Sequence, residues 1–240
     1  GFGVGESHWG GLAERARVSA DWLIMLPEAF TPMEAMALGT AGYTAMLCVD
    51  ELERAGVAQG AEVVVTGAGG GVGSVAITML AAAGFRPVAV TGRDSLADYL
   101  RELGAVEVLP RSTLTDVGKG PLASSRWPGA VDTVGGEVLA NLLKTMAYEG
   151  TVAACGLAGG IEVPTTVMPF ILRGVRLVGV ESVYQPLARR EAIWQRLAQL
   201  MPSERLAEMS RVVTMAQVAE VAEEILEGHV RGRTVVDVKG

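Results

Sequence analysis

Residues 62–93, EVVVTGAGGGVGSVAITMLAAAGFRPVAVTGR, decide the fold of this chain. The valines Val63 to Val65 form a short apolar run typical of a buried strand, and it gives way to the glycines between Gly67 and Gly73. The small and apolar residues from Ser74 to Ala83 contain no proline and predict a helix. Pro87 to Val90 then predict a second strand. This order of strand, glycine turn, helix and strand predicts a parallel α/β unit.

The glycine turn predicts a binding site for a dinucleotide. Glycines let the backbone approach a pyrophosphate closely, and the first N–H groups of the following helix are free to bind it. The strict G-x-G-x-x-G spacing is absent, and two registers are open. One uses Ala68, Gly70 and Gly73, and the other uses Gly71, Gly73 and Ala76. We favour the first, because it places the tight turn directly after the strand.

The end of the second predicted strand favours a phosphorylated dinucleotide. NAD sites usually carry Asp or Glu about 20 residues beyond the glycine turn. Here Thr91, Gly92 and Arg93 occupy that position, and Asp94 comes only after them. A hydroxyl and a guanidinium suit a 2′-phosphate, with each charge-assisted hydrogen bond worth roughly 1.5–3 kcal/mol. We therefore predict NADPH, with a solvated turn carrying a surface arginine as the alternative.

Composition excludes several classes of protein. The chain has 240 residues, 50% of them hydrophobic, which is enough for a buried core, and its net charge of −7 argues against a nucleic-acid partner. Cys48 and Cys155 with His8 and His229 give no zinc-ligand spacing, so we predict no metal site. Two lone cysteines and no signal peptide predict a cytoplasmic protein. The uncharged run 63–85 is long enough to cross a bilayer, but its glycines oppose a membrane helix.

A helix before the glycine turn carries a candidate cofactor contact. Thr31, with Glu34 three residues later, forms a capping box that predicts a helix to about Glu53. The hydroxyls of Thr40 and Thr44 lie near one face of this helix and could reach a cofactor. The alternative is that they bond to carbonyls of the preceding turn.

The rest of the pattern predicts an α/β Rossmann fold, a doubly wound parallel sheet. Further strands are predicted at 106–109, 129–136, 150–156 and 176–182, with helices at 94–103, 137–146 and 164–172 and a loop at 110–129. Asp132 lies in an apolar strand, and we expect a structural hydrogen-bond acceptor rather than a catalytic acid. Because such sheets bind ligands beyond the carboxyl ends of their strands, Cys155, Gly156 and Leu157 should line the nicotinamide side. The last strand, at the sheet edge, predicts a homodimer contact.

Residues 1–31 and the end of the chain predict part of a second, β-rich unit. Alternation at 12–18 and the run Trp22 to Ile24 predict strands, and a closing strand at 233–238 would rejoin them. Amphipathic helices at 187–200 and 216–227 flank a short apolar run at 212–214. We expect that the partner strands of this unit lie upstream.

Several blocks together resemble the acrylyl-CoA reductase family, a zinc-independent, quinone-oxidoreductase-like branch of the medium-chain dehydrogenase/reductases. They are GVGESHWGGLAERARV at 3–18, GTAGYTAMLC at 39–48, VVVTGAGGGVGSVA at 63–76, TGR at 91–93, AVDTVGG at 130–136, VAACGLAGG at 152–160, VMPFILRGVRLVGVESV at 167–183 and GRTVVDV at 232–238. The resemblance covers nearly the whole chain.

The resemblance implies a cytosolic, NADPH-dependent enzyme that reduces the C2=C3 bond of a small acyl-CoA, acryloyl-CoA, to propanoyl-CoA. It also implies remnants of a GroES-like β domain at 1–31, a Rossmann NADPH-binding domain at 32–210, and a closing helix and strand at 211–240. At one position near the last predicted helix, some members have asparagine and this chain has Gly228, which has no side chain to make a contact there. The cofactor contacts that it implies are Gly71, Val72, Gly73, Ser74, Thr91, Gly92, Arg93, Arg111, Leu157, Ile171 and Ser182.

Two other functions are open from the sequence. One is reduction of quinones or other α,β-unsaturated carbonyls, which the same fold performs. The other is NADPH binding without catalysis, as a segment of a larger protein. No Ser/His/Asp set or paired acid is evident, so the catalytic proton donor is left unassigned.

Overall fold

The computed structural model describes all 240 residues and is built around a six-stranded sheet in the order β3-β2-β1-β4-β5-β6. Every neighbouring pair in this sheet is parallel. The strand order reverses between β1 and β4, and ligands bind at such a switch point. The strands are Glu62–Val65 (β1), Arg86–Thr91 (β2), Glu107–Pro110 (β3), Trp127–Asp132 (β4), Met146–Ala154 (β5) and Arg176–Gly179 (β6).

The helices between the strands cover both faces of the sheet, as the doubly wound fold predicts. The helix before β1 begins at the predicted capping box, where Glu34 accepts the Thr31 amide at 2.8 Å. The helices are Pro32–Arg54 (α1), Gly71–Ala82 (α2), Ala97–Glu102 (α3), Ser112–Thr115 (α4), Gly136–Thr145 (α5), Met168–Arg173 (α6), Leu187–Leu200 (α7), Ser203–Glu208 (α8) and Val218–Leu226 (α9).

The apolar run that opens the organising stretch is buried on both sides. Val63 and Val65 belong to a core cluster of 32 buried residues, and Val64 belongs to a second cluster of 12. Successive side chains of a strand point to opposite faces, so a strand covered on both faces must be apolar throughout. No helix of the structure is both long enough and apolar enough to span a membrane.

The strands predicted near the beginning of the chain are wrong. Residues 1–31 contain a short 3-10 helix at Ala20–Trp22 and one isolated bridge between Val4 and His8, but no strand at 12–18 or 22–24. Alternating residues form a strand only when a neighbouring strand satisfies their backbone hydrogen bonds, and no strand of this chain lies beside them.

Two further expectations need correction. The segment 110–129, predicted to be a loop, contains the short helix α4, and β4 already begins at Trp127. The closing strand β8, Arg233–Asp237, pairs in parallel with β7, Ser210–Thr214, as a separate two-stranded sheet. Whether this small sheet belongs with a GroES-like domain stays a prediction.

Candidate cofactor-binding site

The glycine turn forms a close backbone junction between β1 and α2. A Cβ on Gly73 would lie 2.4 Å from the carbonyl oxygen of Gly67 and 2.7 Å from the Cα of Ala68, so only glycine fits there. Gly70 is the N-cap of α2, and this geometry matches the register through Ala68, Gly70 and Gly73. The positive φ of 58° falls on Gly67, before that register begins.

The first turn of α2 has amides free to bind an anion. The Ser74 amide makes the first hydrogen bond of the helix, to the Gly70 carbonyl at 3.0 Å. The amides of Gly71, Val72 and Gly73 precede it and have no partner within the helix. They lie at the switch point of the sheet, where they can bind a diphosphate.

Arg233 lies beside these amides, although no motif of the sequence indicates it. A Cβ on Gly71 would lie 2.5 Å from Nη1 of Arg233, while Nε donates to the Ala37 carbonyl at 2.6 Å. Burial lowers the pKa of Arg233, and no carboxylate offsets this effect. An unpaired, half-buried guanidinium at a helix N-terminus complements a diphosphate. Because Arg233 is far from the turn in sequence, motif spacing could not find it.

The predicted adenosine end contains two arginines with different surroundings. The guanidinium of Arg93 donates to the carbonyls of His229 at 2.9 Å, Val230 at 3.2 Å and Gly69 at 3.3 Å. It therefore ties the glycine turn to the segment before β8, and backbone carbonyls already occupy much of its donor capacity. The Thr91 hydroxyl, in turn, accepts the Arg93 amide at 3.1 Å.

Arg111 is the freer of these two cations. It is exposed and lies just beyond β3, with its guanidinium against the end of β2. A Cβ on Gly92 would lie 2.7 Å from Nη2 of Arg111, so the glycine leaves room for this side chain. A guanidinium in this position can bind a phosphate with two parallel hydrogen bonds.

The predicted nicotinamide end is formed by the loop after β5. Leu157 is 64% exposed there, and the half-buried Cys155 thiol donates to the Asp132 carbonyl at 3.5 Å. Two causes raise the pKa of the Cys48 thiol well above its usual range. The larger is a hydrogen bond with Cys155, and the next is burial. Cys48 is therefore a buried, protonated thiol rather than a nucleophile.

The other predicted contacts are spread along the chain. The Thr44 hydroxyl is buried and donates to the Thr40 carbonyl at 2.7 Å, which is the alternative left open above, whereas Thr40 is exposed. Ile171 is exposed on α6. Ser182 lies beyond β6, where its carbonyl accepts Nη2 of Arg190 at 3.1 Å.

Asp132 is confirmed as a structural hydrogen-bond acceptor. It is fully buried at the end of β4 and accepts the Thr66 hydroxyl at 2.7 Å. The structure contains no group of three or more His, Cys, Asp or Glu side chains that could hold a metal ion. The absence of zinc stays a prediction.

The doubly wound sheet, the free amides at its switch point and the unpaired arginines define a dinucleotide-binding protein of the Rossmann type. Residues 71–201 match the family model of the zinc-binding dehydrogenases. The chain belongs to the acrylyl-CoA reductase family, within the quinone-oxidoreductase-like medium-chain dehydrogenase/reductases. Members of this group are NAD(P)-dependent oxidoreductases.

Similar proteins of known sequence and structure support this assignment. The chain is 52% identical to the probable acrylyl-CoA reductase AcuI of Escherichia coli (strain K12), over 99% of this chain and 73% of that protein. It superposes on the crystal structure of E. coli K-12 YhdH with bound NADPH with a TM-score of 0.95 and 51% identity, over 99% and 73% of the two chains.

Another similar protein is YhfP of Bacillus subtilis (strain 168), a putative quinone oxidoreductase. It is 46% identical over 98% of this chain and 72% of its own length. Its crystal structure with NAD bound superposes with a TM-score of 0.93 and 45% identity over the same shares of the two chains, 98% and 72%. The similar solved structures therefore hold either NADPH or NAD, and the choice between them in this chain must come from the adenosine end of the site.

Proposed function

We propose that this protein uses NADPH to reduce the C2=C3 double bond of a short enoyl-CoA, with acryloyl-CoA giving propanoyl-CoA. The observation that carries the proposal is the 52% identity to the probable acrylyl-CoA reductase over 99% of this chain. The glycine turn with its free amides supplies the binding site that such a reaction needs.

The residues of the crevice fit NADPH from end to end. The amides of Gly71 to Gly73 and the guanidinium of Arg233 hold the diphosphate. A Cβ at Gly71 would lie against Nη1 of Arg233, and one at Gly73 would lie against the Gly67 carbonyl oxygen, so both positions need glycine to keep this geometry. Arg111 binds the 2′-phosphate, and Thr91 and Arg93 shape the pocket around it. The structure of the similar protein YhdH holds NADPH, which supports the choice of this cofactor.

The loop after β5 orients the opposite end of the cofactor. When bound, NADPH supplies a hydride to the β-carbon of the enoyl thioester. Cys155, Gly156 and Leu157 fix the face on which the nicotinamide lies. Negative charge develops on the thioester oxygen as the double bond is reduced, so hydrogen-bond donors must face that oxygen. The half-buried thiol of Cys155 and the exposed side chain of Leu157 leave this face open to a substrate.

The proposal includes a dimer and a domain division. The edge strand β6 and the neighbouring helix α6 expose Leu177, Ile171 and Leu172, which suits pairing with a second copy across the sheet edge. Residues 1–31 and 211–240 belong with a GroES-like domain, and 32–210 form the cofactor domain. The two cysteines are unpaired, which suits the cytoplasm.

Steady-state kinetics with acryloyl-CoA, crotonoyl-CoA and a small quinone test the proposal. The 46% identity to a putative quinone oxidoreductase favours quinone reduction as the second candidate. We expect the highest kcat/KM with acryloyl-CoA. A higher kcat/KM for the quinone would replace the proposal with the second candidate, and NADPH binding without oxidation on any of these substrates would indicate a non-catalytic module.

A further inference from the structure

Asp132 is a fully buried carboxylate without a cationic partner. Its Oδ1 accepts the Thr66 hydroxyl at 2.7 Å, and its Oδ2 accepts the Gly135 amide at 2.8 Å. Burial raises the pKa of Asp132, while hydrogen bonds from Thr66, Gly135 and Val134 oppose that rise. A buried carboxylate requires such donors, so the three groups fix its position.

Thr66 and Thr133 fasten the ends of β1 and β4 together beside this carboxylate. The Thr66 hydroxyl oxygen accepts the Thr133 amide at 3.0 Å, and the Thr133 hydroxyl donates to the Thr66 carbonyl at 2.9 Å. The glycine turn starts at the next residue, where a Cβ on Gly67 would lie 2.2 Å from Oγ1 of Thr133. The start of the diphosphate-binding turn is therefore held by a network centred on Asp132.

The loop after β4 also meets the loop 155–160 after β5 through backbone atoms. The Gly159 amide donates to the Val134 carbonyl at 2.7 Å. A Cβ on Gly156 would lie 2.2 Å from the Thr133 carbonyl oxygen. Because the two loops touch through a backbone hydrogen bond and closely packed glycines, neither can shift without displacing the other.

We propose that Asp132 is a positioning residue that holds the glycine turn and the loop 155–160 in one arrangement, so that both ends of NADPH bind in register. This inference rests on the proposed function. Thr66 leads into the turn that binds the diphosphate, and the loop 155–160 lines the nicotinamide. Asparagine has the same size as aspartate but presents an NH₂ group to one of these donors, so Asp132→Asn opens one contact.

The test compares the binding of NADPH with that of 2′,5′-ADP, which carries the adenosine phosphates but no nicotinamide. We expect Asp132→Asn to lower the ratio of NADPH affinity to 2′,5′-ADP affinity by about tenfold, while the 2′,5′-ADP affinity itself changes by less than about twofold. The blue shift of NADPH fluorescence on binding should also decrease, because the nicotinamide is held less firmly.

Three further variants separate positioning from folding. Thr66→Val removes the hydroxyl that donates to Asp132, and Thr66→Ser restores it, so the affinity ratio should fall in the first and recover in the second. Thr151→Val is the matched control, because Thr151 is fully buried on β5 and its hydroxyl has no partner. Its affinity ratio should equal that of the unaltered protein.

An unchanged ratio in Asp132→Asn, or an equal loss of both ligands, would overturn the positioning role. If Asp132→Asn does not fold, Thr66→Val with Thr66→Ser decides by the same ratio. Absence of NADPH binding by the unaltered protein would overturn the proposed function as well. Normal binding by the unaltered protein with unchanged ratios in the variants would overturn only the inference about Asp132.

Discussion

The two ends of the cofactor crevice are formed by different chemical groups, side chains at one end and backbone atoms at the other. At the adenosine end, we propose that arginine side chains carry the recognition: Arg111 is free, Arg93 is bonded to backbone carbonyls, and Arg233 lies beside the first turn of α2. At the predicted nicotinamide end, backbone atoms of the loops after β4 and β5 meet at glycines beside the buried Asp132. Charged side chains can select a phosphate, whereas close backbone contacts fix an orientation. We therefore propose that the first end selects the cofactor and that the second sets the geometry of hydride transfer.

The largest expected effect comes from the junction that both ends share. In Gly73→Ala, the new methyl group would lie 2.4 Å from the Gly67 carbonyl oxygen, so the turn must open. We expect a loss of about 3 kcal/mol of unfolding free energy and loss of NADPH binding. Urea unfolding and NADPH titration measure the two effects. Gly179→Ala, where a Cβ would meet no atom within 4 Å, is the control. NADPH binding by Gly73→Ala at the unaltered affinity would contradict the assignment of the turn.

A second variant alters only the proposed 2′-phosphate contact at the adenosine end. Arg111→Ala removes the free guanidinium, so the preference for NADPH over NADH should fall by about 10- to 150-fold, the equivalent of roughly 1.5–3 kcal/mol. Calorimetric titration with both cofactors measures this ratio. Arg101→Ala removes an exposed arginine that pairs with Asp98 on α3, and it should leave the ratio unchanged. An unchanged ratio in Arg111→Ala would move 2′-phosphate recognition to another residue.

A third variant distinguishes the diphosphate from the 2′-phosphate. Because Arg233 lies beside the first turn of α2, Arg233→Met should weaken NADPH and NADH alike, by about tenfold, and leave their ratio unchanged. The matched control is Arg231→Met, since Arg231 lies over the Tyr99 ring, 4.5 Å from its centroid. Selective loss of NADPH binding in Arg233→Met would place this arginine at the 2′-phosphate instead.

The smallest expected effect concerns the nicotinamide end and depends on pH. Burial raises the pKa of Asp132 above its unfolded value of about 3.9. The folded state therefore binds this proton more tightly, and the contribution to stability is largest below the unfolded pKa and is lost as pH rises through the folded pKa.

Urea unfolding between about pH 4 and about pH 7 should show this loss in the unaltered protein relative to Asp132→Asn. The other carboxylates are common to both proteins and cancel in the comparison. If the unfolding free energy of the unaltered protein, relative to that of Asp132→Asn, increases as pH rises, then the pKa of Asp132 is lowered in the folded state, not raised.

The sequence predicted the sheet and the glycine turn because both depend on local patterns. Val63 to Val65 are apolar on both faces, and Gly73 must be glycine for steric reasons, so each residue carries its own signal. The strand predicted at 12–18 failed because alternation does not show whether a neighbouring strand exists. Arg233 was missed for a related reason, since only the folded chain brings β8 to the N-terminus of α2.

In the candidate site, the sequence indicated individual residues but not the partners to which they are bonded. The sequence indicated a cation at the end of β2 but could not show that Arg93 donates to the carbonyls of His229 and Val230. It indicated Asp132 as an acceptor but not its donors, which come from Thr66, directly after β1, and from the loop after β4. Such contacts join residues that are far apart in the chain, and local sequence patterns do not show which of these residues the fold brings together.

A crystal structure of this protein with NADP⁺ would test the central claim most directly. The account predicts the diphosphate over the amides of Gly71 to Gly73, within hydrogen-bond distance of Arg233, and the 2′-phosphate against Arg111. A cofactor bound elsewhere, or a 2′-phosphate in solvent with Arg111 directed away from it, would contradict the account.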